Sequence, residues 1–207
     1  MISIVDYGMG NLASVYKALK YIGQDAAITS DPETIALSSG LIVPGVGAFG
    51  PAMDSLKSKG LDLAIKDFAA TGRPVLGICL GMQLFLSGSE EGAGSGLIEG
   101  LGLIPGKVIK FPQDKTVDAG LKVPQMGWNK LEDVTGKLMR EGDYVYFVHS
   151  YYCDPDDEKA SCAKTTYGIK YTVALEKDNI FATQFHPEKS GEAGLQMLIR
   201  FALGGLT

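Results

Sequence analysis

Residues 74–83 read PVLGICLGMQ, and this decapeptide decides the fold. Val75, Leu76 and Ile78 form a short apolar run that ends at Cys79, and Leu80 to Leu86 continues with helix-compatible spacing. The pattern predicts a strand that turns sharply into a helix at the cysteine. Gly77 and Gly81 stand two residues to either side of Cys79, the small-nucleophile-small layout of a nucleophile elbow, where bulkier neighbours would collide in the turn. A cysteine at a helix N-terminus meets unpaired backbone N–H groups and the positive dipole end, which favour a thiolate. The N–H of Leu80 then points where an oxyanion would form. Taken alone, the decapeptide fits a buried core cysteine equally well, the commoner fate of a thiol that follows an apolar run.

The scarcity of partners sharpens the choice. The chain holds 2 His, and each ends an apolar strand-like run: His149 in YVYFVHSYY and His186 in NIFATQFHPEKS. A histidine base for Cys79 must be one of these. Pro187 and Glu188 follow His186; the proline is expected to keep this turn out of helix, so that His186 and Glu188 project the same way along an extended segment. A carboxylate so close can accept the imidazole N–H, select its tautomer and stabilise its cation. Cys79, His186 and Glu188 are therefore a candidate triad, with a surface His-Pro-Glu turn devoid of chemistry as the alternative.

Outward from the decapeptide, strands and helices alternate. Ile2 to Val5 reads as a strand, DYGMGN as a loop, and Asn11 as the cap of a helix from Leu12 to about Ile22. Ala26 to Thr29 is a second strand, Asp31 and Pro32 open a short helix, and Leu41 to Val43 is a third strand running into PGVGAFG. Helices follow over Phe49 to Lys59 and Leu61 to Thr71. This alternation implies an α/β fold with a mainly parallel sheet covered on both faces, and in such sheets ligands bind beyond the carboxyl ends of the strands. Pro44 to Gly47 and Cys79 both fall at such ends. Gly45 and Gly47 leave the peptides around Val46 free to rotate, which suits an oxyanion donor, although a plain glycine turn explains them too. Ser89 to Gly100 is expected to be irregular, with Glu90 and Glu91 either solvated or reading a substrate ammonium.

From Leu101 the texture becomes β: GLIPGKVIKF, VPQMGWNKLE, YVYFVHSYYC, CAKTTY, IKYTVALE and NIFATQFH are successive strand-like runs. Val123, Met126 and Trp128 are expected to be exposed, which is apolar exposure that calls for a docked partner. An amphipathic helix from Ala193 to Leu203, stopped by Gly204 and Gly205, closes the chain. The 207 residues show no linker, repeat or charge block, so one domain, 1–207, is the economical count. The formal charge of −5 without a basic run argues against nucleic acid or an anionic membrane and for a small-molecule substrate. The 3 Cys lack metal-ligand spacing and predict reduced thiols in a cytoplasmic protein, and no apolar run reaches the roughly 18 residues that span a bilayer.

PGVGAFG, GICLGMQ and QFHPEKS together resemble the class I glutamine amidotransferases. DYGMGNL, KVPQMGWN and YFVHSYY, in that order along the whole chain, resemble more narrowly the glutaminase subunits of imidazole glycerol phosphate synthases. The resemblance implies a single-domain amidotransferase fold with an added antiparallel region in the C-terminal half. It implies Cys79 as nucleophile, His186 as base and acid, and Glu188 as its orienter. It implies oxyanion N–H groups at Gly47 and Leu80, and a glutamine pocket made by Gln83, Glu91 and the backbone of Ser150 and Tyr151. It further implies a (β/α)8-barrel cyclase subunit docking near Asn11, Met126, Trp128 and Lys189, and no metal or organic cofactor. Gln125 departs from the histidine that many relatives carry in VPHMGWN, a segment that abuts the partner in that family. The alternatives are a glutaminase serving another synthase, of the anthranilate or aminodeoxychorismate type, a free-standing γ-glutamyl hydrolase, and a non-catalytic scaffold.

Overall fold

The computed structural model describes residues 1–204. Its elements run β1 (Ile2–Val5), α1 (Leu12–Tyr21), β2 (Ala26–Thr29), α2 (Pro32–Ala36), β3 (Gly40–Gly45), α3 (Phe49–Ser58), α4 (Leu61–Ala70), β4 (Val75–Cys79) and α5 (Leu80–Leu84). The second half holds β5 (Gly88–Ser89), β6 (Ile98–Glu99), β7 (Gly106–Lys110), β8 (Gln125–Lys130), β9 (Tyr144–His149), β10 (Tyr151–Pro155), β11 (Ser161–Tyr167), β12 (Ile169–Lys177), β13 (Ile180–Thr183) and α6 (Gly191–Ala202).

One sheet runs in the order β2-β1-β3-β4-β13-β12-β10-β7-β5-β6, with β11 pairing β12 off this path. The pairings from β2 through to β13 are parallel, those from β13 through β12 and β10 to β7 are antiparallel, and β7 pairs with β5 in parallel. The central strands β1, β3, β4 and β13 are buried along their whole length, as parallel strands sandwiched between helices must be. Period-two alternation sorts their side chains: Leu41, Val43 and Val75 pack with α3, α4 and α5, while Ile42, Leu76 and Ile78 pack with α1 and α6. The α/β architecture with its added antiparallel region is therefore as expected.

The departures are local. Helix α5 stops at Leu84 rather than Leu86, and α6 starts at Gly191 rather than Ala193; of the two glycines expected to stop α6, Gly205 lies outside the described residues. The run YVYFVHSYYC is two strands, broken at Ser150: β9 pairs with β8 in a separate ribbon, whereas β10 joins the main sheet. Of GLIPGKVIKF only Gly106–Lys110 is strand, and the irregular stretch after Ser89 folds back as the short antiparallel pair β5 and β6. Val123 is half-buried against the second core rather than exposed.

Candidate active site

Register brings the site together before any side chain is considered. Gly45 at the end of β3 pairs with Cys79 at the end of β4, and Thr183 of β13 pairs with Ile78. The loops after three neighbouring strands thus share one rim of the sheet, where ligands bind in folds of this kind.

Cys79 turns the chain with φ 55° and ψ −107°, a left-handed conformation that a non-glycine residue adopts only when its surroundings enforce it. The flanking glycines supply that enforcement. A Cβ on Gly81 would lie 1.8 Å from the Val43 carbonyl oxygen, and one on Gly77 would lie 2.8 Å from the backbone of Gly81. Leu80 is the first residue of α5, so its N–H has no intrahelical acceptor.

Opposite Cys79, His186 Nδ1–H donates to Glu188 Oε1 at 2.8 Å, both side chains being almost wholly buried. The expectation of an extended His-Pro-Glu segment is corrected: Pro187–Lys189 is one turn of 3-10 helix with His186 as its extended cap. Proline suits the first position of such a turn because its missing N–H is not needed there, and the turn swings Glu188 back beneath the ring. Burial alone would push the His186 imidazole down; the neighbouring Cys79 and Glu188 outweigh it and lift the ring from 6.5 to about 9. His186 Nε2 has no hydrogen-bond partner among the described residues. The sulfur of Cys79 instead lies 3.9 Å from the Val148 carbonyl and accepts from Gln184 Nε2 at 3.7 Å.

A cleft of about 330 Å³ opens on these groups, walled by Val46, Gly47, Cys79, Leu80, Gln83, Glu91, Ser150, Tyr151 and His186. All the residues expected for nucleophile, base, oxyanion donors and substrate pocket, except the buried Glu188 behind His186, therefore line one cavity. Gly47 has φ +103°, and Val46 is 40% exposed. The root of this loop is fixed, because the buried Tyr7 hydroxyl donates to the Pro44 carbonyl at 2.8 Å. Burial, then Cys79, push that hydroxyl well above its ordinary pKa, which keeps it a donor.

Two residues expected in the substrate pocket have structural partners that the sequence does not announce. Glu91 Oε2 accepts the backbone N–H of Phe49 at 2.8 Å, tying the loop after β5 to the start of α3. Gln83 Nε2 donates to the Tyr151 carbonyl at 3.3 Å and to Gln184 Oε1 at 3.1 Å, which uses both its N–H groups and leaves its amide oxygen for a ligand. Gln184, Tyr7 and Tyr171 were missed entirely. Gln184 had a signal in sequence, a polar residue inside the buried run IFATQF; the two tyrosines had none.

Met126 and Trp128, expected to be exposed, stand on the β8–β9 ribbon. They are 66% and 53% exposed on one face of β8. The Trp128 ring meets Tyr146 edge-on at 6.0 Å, and Lys189 Nζ sits 5.9 Å above the same tyrosine. Asn11 caps α1, its side chain accepting from the Ser14 N–H at 3.4 Å, and α1 packs beside the 3-10 turn that carries Lys189. Gln125 faces inward and is buried. Cys153 and Cys162 are unpaired, and burial pushes both thiols up, Cys162 to about 12, so neither is poised to react. Among the described residues no cluster of His, Cys, Asp and Glu could hold a metal ion, and no helix is long and apolar enough to cross a membrane.

Residues 3–204 match the family model described as glutamine amidotransferase class-I. The chain is 48% identical to the imidazole glycerol phosphate synthase subunit HisH of Chlorobaculum tepidum, covering 98% of this chain and 99% of that protein. It is 50% identical to the HisH subunit of Methanothermobacter thermautotrophicus, covering 97% of each. Among solved structures, a glutamine amidotransferase superposes with a TM-score of 0.76 over 100% of both chains at 18% identity. A chain of PurLQS from Thermotoga maritima superposes at 0.67, over 100% of this chain and 98% of that one, at 16% identity. The last two establish the fold alone; the family model and the near full-length identities place this chain in the class-I glutamine amidotransferase family, in its branch of imidazole glycerol phosphate synthase HisH subunits.

Proposed function

We propose that this chain hydrolyses the side-chain amide of glutamine and delivers the ammonia to a cyclase subunit. The observation that carries the reading is a single cleft that holds Cys79 on its elbow and His186 backed by Glu188. The Cys79 sulfur attacks the amide carbon, and Gly47 and Leu80 present backbone N–H groups to the tetrahedral oxyanion. His186, held by Glu188, hands its proton to the departing ammonia; water, deprotonated by the same ring, then releases glutamate from the thioester. The amide oxygen of Gln83 and the carboxylate of Glu91 accept from the ammonium of the substrate, and the backbone of Ser150 and Tyr151 completes the pocket.

Ammonia released into neutral water becomes ammonium, which is no nucleophile, so the product has to leave through a sheltered route into a partner. The partner is a (β/α)8-barrel cyclase that makes imidazole glycerol phosphate and aminoimidazole carboxamide ribotide, docked over Asn11, Met126, Trp128 and Lys189. Three unpaired cysteines suit the reducing cytoplasm. Uncoupled hydrolysis would waste glutamine. The isolated chain is accordingly nearly silent, and the Val46–Gly47 peptide turns its N–H into the cleft when the loaded cyclase is bound, a population shift of a two-state element.

The test is a glutaminase assay of the isolated chain, of the complex, and of the complex with its nucleotide, repeated with Cys79→Ala. Turnover is expected in the loaded complex alone, and Cys79→Ala should abolish it while the complex still uses external ammonia. Vigorous hydrolysis by the chain on its own would point to a free-standing γ-glutamyl hydrolase and overturn the coupled reading.

A further inference from the structure

From the cleft wall, which His149 helps to line, a buried polar chain that the reaction above does not use runs inward. Gln125, His149 and Tyr171 are 1%, 7% and 3% exposed. Gln125 on β8 is the register partner of His149 on β9, and Tyr171 of β12 reaches between them. The Tyr171 oxygen lies 2.6 Å from Oε1 of Gln125 and 3.1 Å from His149 Nε2. On the far side of the ring, His149 Nδ1 lies 2.8 Å from the Tyr151 carbonyl, in the cleft wall. Phe111 packs against both rings, with centroids 5.3 Å from His149 and 5.1 Å from Tyr171, and keeps water out.

Counting protons selects one arrangement. Tyr171 has a single O–H. If it donates to Gln125, then His149 Nε2 must carry the ring proton, and Nδ1 faces the Tyr151 carbonyl with two lone pairs 2.8 Å apart and nothing between them. A doubly protonated ring would relieve that clash, but burial pushes this imidazole from 6.5 down to about 4, with His186 adding to the push against the opposing Tyr151 carbonyl. A half-turn of the Gln125 amide, whose oxygen and nitrogen are interchangeable in shape, removes the conflict. Gln125 Nε2 then donates to Tyr171, Tyr171 donates to His149 Nε2, and His149 Nδ1–H donates to Tyr151. The same half-turn exchanges a buried amide nitrogen that has no partner for a carbonyl oxygen, the cheaper orphan.

We propose that Gln125 and Tyr171 are positioning residues of the glutamine pocket: they hold His149 as the tautomer protonated on Nδ1, and its N–H fixes the Tyr151 carbonyl in the pocket wall. This rests on the glutaminase reading for the identity of the ligand. The Tyr151 carbonyl also accepts from Gln83 Nε2, so fixing it helps to hold the Gln83 amide oxygen towards the ligand.

The decisive measurement is nitrogen NMR of the imidazoles in the full chain, which has only 2 His to assign. At neutral pH, His149 is expected to show a protonated Nδ1 and an unprotonated Nε2; a proton on Nε2 overturns the inference. Gln125→Glu, whose carboxylate can only accept, is expected to draw the Tyr171 proton to itself and reverse the tautomer, and an unchanged tautomer in this variant also overturns it. In the complex, Tyr171→Phe should raise the KM for glutamine roughly five- to tenfold, the scale of one hydrogen bond, with kcat within about twofold. The rate of Cys79 alkylation by iodoacetamide, a probe that does not fill the pocket, should stay the same. Loss of kcat and alkylation together, with KM unmoved, would show a merely structural role. The spectrum needs no substrate, so a wrong tautomer leaves the glutaminase reading standing, whereas absence of turnover in the unsubstituted loaded complex removes that reading itself.

Discussion

Replacing Glu188 by glutamine tests whether the pair behind Cys79 is an electrostatic device or a packing detail. The side chain is of equal shape, its amide oxygen can still accept from His186 Nδ1, and only the charge is lost. In the folded chain His186 is lifted from 6.5 to about 9. Each pKa unit corresponds to about 1.4 kcal/mol, so the whole lift is on the order of 3 kcal/mol. Because the folded value is raised, this stabilisation is complete below the unfolded value of 6.5 and is lost as pH rises through about 9. Burial opposes the lift and Cys79 and Glu188 together overcome it, so removal of one charge should cancel a large part of it, on the order of 2 kcal/mol or upwards of about one pKa unit. Two readings check this. An NMR titration should move the His186 midpoint down by upwards of about one unit, with His149 separable because its own ring stays neutral to about 4. Urea unfolding at about pH 6 and about pH 10 should show the unsubstituted chain losing on the order of 2 kcal/mol more than the variant over that interval. Coincident midpoints and parallel pH dependences would refute the claim that Glu188 acts through its charge.

The elbow and the docking face give two further tests. Gly81→Ala places a Cβ 1.8 Å from the Val43 carbonyl, a backbone atom of a fully buried strand that cannot yield. A loss of roughly 3 kcal/mol in urea unfolding is expected, and an unchanged midpoint would mean that the elbow is not packed as described. Trp128→Ala removes a ring that is 53% exposed, so the stability of the isolated chain should stay within about 0.5 kcal/mol. Its affinity for the cyclase, measured by calorimetric titration, should fall at least about tenfold. Equal affinity would remove the β8 face from the interface.

Most of the framework was legible because its causes are local. Val75 to Cys79 had to be a strand and Gly77 and Gly81 had to be small, and both conclusions came from spacing in ten residues. Asn11 and Asp31 could be recognised as caps because their side chains bond to N–H groups two or three residues on. What stayed hidden depends on contacts far apart in sequence. The Glu91 carboxylate looks solvated until Phe49, 42 residues earlier, is folded against it, and Gln184 meets the Cys79 sulfur across a separation of 105 residues. The break at Ser150 was invisible for another reason: both halves of YVYFVHSYYC have strand composition, and only the partner strands decide that they belong to different sheets. The turn at Pro187 was misjudged because proline forbids a helix interior but not its first residue.

The β8–β9 ribbon joins these threads. Strand periodicity sends Met126 and Trp128 outward and Gln125 inward on β8, and leaves His149 inward on β9, whose Tyr146 touches Trp128. The same ribbon is tied to the triad turn, since the His186 N–H donates to the Tyr146 carbonyl at 3.0 Å and the Tyr146 N–H donates to Ser190 Oγ at 3.0 Å. Anything that presses on Trp128 therefore bears on a two-stranded unit whose inner face holds the pocket wall and whose edge holds the base. Such a unit shifts as a body, because its hydrogen bonds cost more to break one at a time than to carry along. In the proposed complex, docking and catalysis would be coupled without any long pathway: one residue's step along a strand, about 3.4 Å, separates the side chain that would meet the partner from the one that would support the substrate.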